Sequence, residues 1–377
     1  MFDLAIIGAG PAGATLARLI GNSYRVLLVD KRPFSDAPGQ FSGRKCCGGL
    51  LAPDAQRTLS ELGLGLPKHV LEGPQLFVVR AIDAQQGIAR CYQRHYINMD
   101  RQRFDSWLLS MVPSNVDART NCRLTSYSTE DGCFQLTLAQ GDRTYVEKAR
   151  ILIGADGASS RVRRHLPLGT PFPRKYLAIQ EWVEGGSSPP YFTSVFDGNI
   201  TDYYGWAIPK GDCLVIGAAF PLREGTAARF TRLKETLKRN GFQFGKTVWR
   251  EGAVILRPMS TAQLCTGTGQ DRVAFIGEAA GWVSPSSAEG ISYAFRSARS
   301  LAEALHATPV GFEKRYRENI RNLRKNIALK ILKAHFIFNP ALRKVVMKSG
   351  LQSVRPYRPP EENGTLGSCA EAGPTTW

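Results

Sequence analysis

The chain has 377 residues, 43 % of them hydrophobic and 21 % charged, with a formal net charge of +17. That length allows two ordinary domains or one large domain with an insertion, and the composition excludes a chain disordered throughout. Eight cysteines, with only Cys46 and Cys47 close together and no C-x-x-C pair, exclude a disulfide scaffold and a zinc site, so no metal is expected.

Residues 3–7 read as a buried strand, too short for a secretory signal because it runs directly into Gly8-Ala9-Gly10. No apolar run approaches the ~18 residues that span a bilayer, so the expected location is cytoplasmic. Residues 11–20 read as a helix and 25–30 as the next strand, which makes a βαβ unit. Residues 31–52 form a loop rich in Pro, Gly, Ser and Lys. Segments 75–98 and 176–257, rich in Val, Ile, Tyr, Phe and Trp with polar alternation, read as antiparallel sheet. A helix is expected over 101–111, short strands over 150–154 and 272–276, and a helix over 289–306. Residues 312–337 read as a further helix, with apolar residues at 312, 316, 320, 323, 327 and 331. Residues 353–377, with four prolines and three glycines, read as a disordered tail.

Nucleotide-type strands thus recur in separate places with sheet-rich segments between them. The expected architecture is α/β. A discontinuous dinucleotide-binding domain (1–74, 99–170 and 258–310) carries an inserted antiparallel-sheet substrate domain (75–98 and 171–257). A basic helical segment (311–352) and the tail (353–377) follow.

Gly8-x-Gly10-x-x-Gly13, with Pro11 and Ala12 between, follows a strand and opens a helix. The first glycine permits a tight turn, the second lets backbone approach a pyrophosphate, and the third lets helix and strand pack closely. The anion would sit on the free N–H groups of the helix start. Asp30 ends the second strand about 20 residues on, where an acid accepts ribose hydroxyls, and Lys31 follows it. Two later segments add to this unit. Asp156-Gly157 follows the strand at 150–154, and Gly277-Glu278-Ala279-Ala280-Gly281 follows the strand at 272–276. Gly290-Ile291 opens a helix whose N-terminus would stabilise negative charge on a reduced flavin ring.

These segments resemble the p-hydroxybenzoate hydroxylase-type flavoproteins, whose members carry GxGxxG, DG and GD motifs in this order. The resemblance covers residues 3 to about 306. It implies a Rossmann-type FAD-binding domain, with Glu278 where the family has Asp and Arg101, at the head of Arg101-x-x-Phe104-Asp105, near the FAD. Lys45-Cys46-Cys47-Gly48-Gly49 resembles the K-x-C-G-G segment of geranylgeranyl reductases. Tyr204-Gly205-Trp206-Ala207-Ile208-Pro209 resembles their Y-x-W-x-F-P cavity motif. Residues 49–57, and the chain to about residue 350, are similar to the bacterial CbrA-like subgroup of FAD-dependent oxidoreductases. The branch implies that Arg44, Cys47, Gly48 and Gly49 lie beside the cofactor, and that Tyr204, Trp206 and Pro209 line a substrate cavity. Cys47 is then either a catalytic proton donor or substrate contact, or a buried small hydrophobe. His95 and His165 read as structural, and Asp100 and Asp105 as no catalytic pair.

The implied chemistry is reduction of a carbon–carbon double bond in a prenyl or similar apolar lipid substrate. With no second G-x-G-x-x-G, the electron donor stays open between NAD(P)H and a ferredoxin. The competing readings are an FAD-dependent monooxygenase of an aromatic or lipid substrate, a flavin-dependent halogenase, and a non-catalytic membrane-associated flavoprotein.

Between residues 314 and 358 there are thirteen Lys or Arg residues and one acid, Glu318, a net +12. Either the segment packs by its apolar stripe and shows a solvated basic face, or residues 312–350 hold the protein at the anionic inner face of a membrane. Nucleic acid is not the expected partner, since no stacking platform accompanies the charge.

Overall fold

The computed structural model describes residues 1–34, 45–166, 169, 171–186, 189–268, 270 and 272–356. Arg44 and most of the expected tail lie outside these.

β1 (Phe2–Ile7) is buried along almost its whole length, as a central parallel strand must be. α1 (Pro11–Ile20) starts with proline in its first turn, where the missing N–H costs nothing, and leads back to β2 (Val26–Val29), parallel to β1. The chain then leaves through β3 (Leu50–Leu51), α2 (Pro53–Glu61), β4 (Leu76–Asp83) and β5 (Ile88–Asn98). α3 (Arg101–Ser110) brings it back, its first turn capped by Asp100, which accepts from the Gln102 and Arg103 amides at 2.8 and 2.9 Å. β6 (Asp117–Arg119) joins β2 in parallel. β7 (Cys122–Glu130), β8 (Cys133–Gln140) and β9 (Arg143–Gly154) form an antiparallel meander. The strand expected at 150–154 is therefore only the end of β9. Its first half pairs with β8, and residues 149–154 pair in parallel with β1.

After the four-residue α4 (Arg161–Arg164) comes the second layer. β10 (Arg174–Gly185), β11 (Phe192–Phe196), β12 (Gly205–Lys210), β13 (Cys213–Pro221) and β14 (Phe244–Arg257) belong to a nine-stranded sheet that also takes in the short β16 (Ser353–Val354), ordered β14-β10-β13-β12-β11-β4-β5-β16, with β3 beside β5. α5 (Thr226–Arg239) interrupts the segment read as all sheet. Phe230, Leu233 and Leu237, at helical spacing, pack it on that sheet. β15 (Val273–Phe275) then returns to the first sheet, parallel to the last residues of β9 on the side away from β1, beyond the point where β8 leaves off. α6 (Ile291–Ala307) packs on the first sheet with α1.

The helix expected over 312–337 is two, α7 (Phe312–Asn319) and α8 (Arg321–Phe338). They part at Ile320, whose fully buried side chain turns into the core at φ −88°, ψ 6°. Asn339 and Pro340 end α8 and start α9 (Pro340–Ser349), the Asn339 side chain accepting from the Ala341 and Leu342 amides. The apolar stripe at 312, 316, 320, 323 and 327 is buried in the core of the first sheet, and Ile331 packs against it. It therefore faces inward and is no docking face. The tail also starts later than expected: β16 (Ser353–Val354) pairs with β5. Among the described residues no helix is long and apolar enough to cross a membrane, and no cluster of His, Cys, Asp or Glu could hold a metal ion.

Candidate active site

The turns Gly8–Gly13, Asp156–Gly157 and Gly277–Gly281 lie at the C-terminal ends of the parallel strands β1, β9 and β15, where an α/β sheet presents its ligand crevice. Gly8 to Gly13 make the turn from β1 into α1. A Cβ on Gly13 would lie 1.8 Å from the Gly8 carbonyl oxygen, so the chain's own packing requires glycine there. Gly10 is different. A Cβ there meets nothing nearer than Arg32 Nη2 at 3.8 Å, and its φ of −71° suits any residue. The space in front of it is open. α1 has no side-chain cap and no acid in its first turn, so its leading N–H groups are left to an anion.

Asp30 is nine-tenths buried at the end of β2 and already fully engaged. Its Oδ2 accepts from the Ala9 amide at 2.7 Å and Arg32 Nη2 at 3.1 Å. Its Oδ1 accepts from the Arg32 amide at 2.8 Å and Arg32 Nε at 3.2 Å. A ribose hydroxyl can reach Asp30 only by displacing part of the Arg32 guanidinium. Arg32 is held from its other side by Asp105, at 2.6 Å, and Asp105 also accepts from Arg101 Nε at 2.7 Å. The two guanidinium groups hold the buried Asp105 carboxyl below the usual carboxylate range against the opposing effect of burial. Arg101 Nη1 in turn donates to Cys47 Sγ at 3.4 Å. A continuous polar chain thus runs from the first glycine turn through Asp30, Arg32, Asp105 and Arg101 to Cys47. Arg32 was not singled out in the sequence and Asp105 was set aside. Lys31 is exposed.

Asp156 stands at the end of β9 and caps the next turn, its Oδ2 accepting from the Arg161 amide at 2.6 Å. Its Oδ1 is buried with no hydrogen-bond partner, and desolvation raises its pKa. A buried carboxylate oxygen left without a donor is an opening for a ligand hydroxyl or amide. Beside it, Gly277 approaches α1 so closely that a Cβ would lie 2.9 Å from that of Ala12. Glu278 does not stand free: it accepts from the Leu256 amide at 3.0 Å and pairs with Lys45 at 3.6 Å, tying β14 and the 45–49 loop to this turn. Ala279 is buried and Gly281 closes the turn in left-handed conformation. Gly290 precedes Ile291 at the start of α6, where Glu289 caps the helix by accepting from the Ser292 amide at 2.7 Å.

The two adjacent cysteines separate. Cys46 is buried in the apolar core of the second sheet, which pushes its thiol pKa up. Cys47 is half-buried and turned to Arg101 and the Gly49 amide. The loop carrying it is pinned from three sides. Lys210, buried directly after Pro209, donates to the Gly49 and Met99 carbonyls at 3.0 and 2.5 Å. Ile208 closes over Gly48, where a Cβ would meet its Cδ1 at 2.6 Å. Gln180 donates to the Cys47 carbonyl at 3.2 Å and also to Glu251, which accepts from Trp182 Nε1 at 3.2 Å. Lys210, Gln180 and Glu251 were missed. Only Lys210, adjoining the Tyr204–Pro209 motif, carried a signal.

Tyr204 and Trp206 are buried with ring centroids 5.8 Å apart. The Trp206 ring lies over Gly217 of β13, where a Cβ would meet it at 2.5 Å, and its indole N–H has no partner. The Tyr204 hydroxyl donates to the Ser287 carbonyl at 2.7 Å, and Tyr203 accepts from the Ala288 amide at 2.8 Å. These bonds join the aromatic wall to the loop that leads into α6. Phe338, the last residue of α8, enters the same cluster, 5.0 Å from Tyr203, under the Arg257 guanidinium at 4.4 Å. His95 packs edge-on to Phe77 away from this network, and His165 closes α4 against the Arg161 carbonyl.

No family model matches the chain. In fold it is similar to a geranylgeranyl bacteriochlorophyll reductase-like protein of Thermoplasma acidophilum, at a TM-score of 0.77 and 17 % identity, covering 92 % of this chain and 90 % of that one. It is also similar to PqsL of Pseudomonas aeruginosa, at 0.64 and 18 %, covering 93 % and 99 %. The α/β layer with its large antiparallel sheet is thus the fold of these two proteins. Escherichia coli K12 protein CbrA is 41 % identical over 358 residues, 94 % of this chain and 98 % of that protein, and the chain therefore belongs to the CbrA family.

Proposed function

We propose that this chain binds FAD and uses it to reduce a carbon–carbon double bond in an apolar, isoprenoid-like substrate. The observation that carries the reading is one juxtaposition. The uncapped start of α1 with open space before Gly10 and the unpartnered Asp156 Oδ1 share the C-terminal end of the first sheet, and the Tyr204 bond to the Ser287 carbonyl at 2.7 Å ties the aromatic wall to the loop beside them. The first group suits a pyrophosphate and its sugar, and the aromatic wall suits an apolar chain. The likeness to the Thermoplasma reductase-like protein supports this branch.

The first glycine turn and Asp156 would hold FAD, which, once reduced by an external donor, would supply the hydride chemistry for one carbon of the double bond. The chain supplies position and a proton. Tyr204 and Trp206 hold the apolar substrate, and Lys210 and Gln180 fix the loop so that Cys47 stays at one place in the wall. Cys47 Sγ, or a water beside it, holds the proton that completes saturation.

The test begins with colour. Purified protein is expected to be yellow and to release FAD on acid treatment, whereas colourless protein that takes up no added FAD ends the reading. Dithionite-reduced protein, kept anaerobic, is then given geranylgeranyl and undecaprenyl lipids while reoxidation and product mass are followed. A gain of two hydrogens per reduced bond supports reduction. The second reading, a monooxygenase, is favoured by the fold likeness to PqsL, described as an FAD-dependent monooxygenase. It requires oxygen for reoxidation and a product heavier by one oxygen atom.

A further inference from the structure

Among the described residues, eight of the fifteen exposed large apolar side chains lie between residues 329 and 354. On α8, Leu329, Leu332 and Phe336 recur at helical spacing on the side opposite to Leu323 and Ile327, which are buried. On α9, Val345 and Val346 are exposed while Arg343 and Met347 are buried. These five apolar side chains are between 47 % and 68 % exposed, and a folded domain rarely leaves such a group uncovered without a use for it. They are interleaved with Lys325, Lys330, Lys333, Lys344 and Lys348, and no acid occurs from residue 319 to 356. The Lys333 ammonium, partly desolvated and crowded by Arg94 and Lys330, is held below the usual lysine range against the pull of Asp54, which pairs with Lys330 at 3.3 Å and leaves Lys325, Lys333, Lys344 and Lys348 as the cations of this face.

We infer that α8 and α9 are an interfacial anchor that lays its apolar residues into an anionic lipid bilayer, with the lysines on the headgroups. Apolar residues flanked by cations fit such a surface. They do not fit an acidic soluble protein, which would leave the exposed leucines and valines unsatisfied. The anchor is also rigidly joined to the candidate site. Phe338, between the two helices, is inserted among Tyr203, Tyr204 and Phe196, and Arg343 pairs with the fully buried Asp83 at 2.7 Å. The bilayer would thus lie beside the aromatic wall. The inference stands on this surface alone and does not need the flavin reading.

The experiment is co-sedimentation of the full chain with vesicles of phosphatidylcholine alone and of phosphatidylcholine with an equal part of phosphatidylglycerol. The protein is expected to pellet with the anionic vesicles and to be released as salt rises, since exposed charges are screened over about 10 Å at 0.1 M. L329S/L332S/F336S, and separately V345S/V346S, should each lower the partition coefficient about tenfold or more while leaving the circular dichroism spectrum unchanged. K344E/K348E should weaken binding to anionic vesicles only. Wild-type protein that stays in the supernatant, or apolar variants that partition as the wild type does, overturns the inference. So does a wild-type dimer that L329S/L332S/F336S converts to monomer without vesicle binding, because the face would then be an interface between two copies.

Discussion

Asp105→Asn offers a sharp test of the polar chain that joins the first glycine turn to Cys47. Asparagine keeps the size of the side chain and removes its charge. Asp105 is 1 % exposed and receives Arg32 at 2.6 Å and Arg101 at 2.7 Å, so two largely buried guanidinium groups would lose their shared counter-ion. Removing one partner of a buried pair costs about 3–5 kcal/mol, here because Arg101 is left without a carboxylate, whereas Arg32 keeps Asp30 at 3.1 Å. With about 2.1 cal/mol/K of unfolding entropy per residue over 377 residues, that loss lowers Tm by about 4–6 °C. The pH dependence has a definite sign. The carboxyl is held below its ordinary range in the folded protein, so its contribution is complete above the unfolded value of about 4 and disappears as pH falls through the depressed folded value. The difference in Tm between wild type and variant should therefore be constant at neutral pH and close in acid. Thermal melts across that range, together with the FAD content at neutral pH, measure both effects. An Asp105→Asn protein that melts within about 1 °C of wild type at neutral pH would show that the chain carries no such coupling. A double-mutant cycle with Arg32→Met should give a coupling of about 1–3 kcal/mol, since the two residues touch.

Gly10→Val should fold normally yet retain no flavin, because its side chain meets only the open space where the pyrophosphate is proposed to lie. Gly13→Val should fail to fold, which soluble expression and circular dichroism distinguish. Cys47→Ala is expected to keep FAD but shift its visible spectrum or its turnover with substrate. An equal spectral effect from Cys46→Ala, whose thiol lies in the second sheet's core, would reverse the assignment. Arg343→Met leaves the Asp83 carboxylate buried and unpaired, at a cost of about 3–5 kcal/mol. Limited proteolysis should then cut within 321–349 before anywhere else, and an unchanged cleavage pattern would refute the clamp.

The βαβ unit and the order of the later turns were legible because glycine spacing, strand period and helix start are local signals that no distant residue overrides. The aromatic strand at 205–210 was legible for the same reason. Residue roles were harder. Asp30 looked free to bind a ribose, and only the fold shows Arg32 turned back upon it from two positions along. Asp105 looked like an ordinary helical acid, yet it receives Arg32 from 73 residues away. Gln180 and Glu251 face one another across β10 and β14, a register that no single-strand pattern reveals. The C-terminal stripe was open to two readings, and the structure shows the packed one. A helical period of apolar residues marks one buried side, but it does not say against what. The period at 312–327 packs on the first sheet, while the residues left exposed on α8 and α9 obey a second, weaker period that the first one masked.

β9 carries a consequence for the order of events during synthesis. Its last residues, 152–154, are flanked on one side by β1, made at the very start, and on the other by β15, at residues 273–275. The proposed pyrophosphate turn is completed only when Gly277 closes against Ala12. While the ribosome is still making the second sheet, β1 and β9 can pair, but the far edge of β9 stays bare, a run of Ile151, Leu152 and Ile153 with unmet backbone groups. Pairings this far apart in sequence form slowly. The nascent chain is thus sticky at one defined edge for more than a hundred residues of translation. A holdase that recognises short apolar strands would be expected to occupy that edge, and to be released by the arrival of residues 273–275.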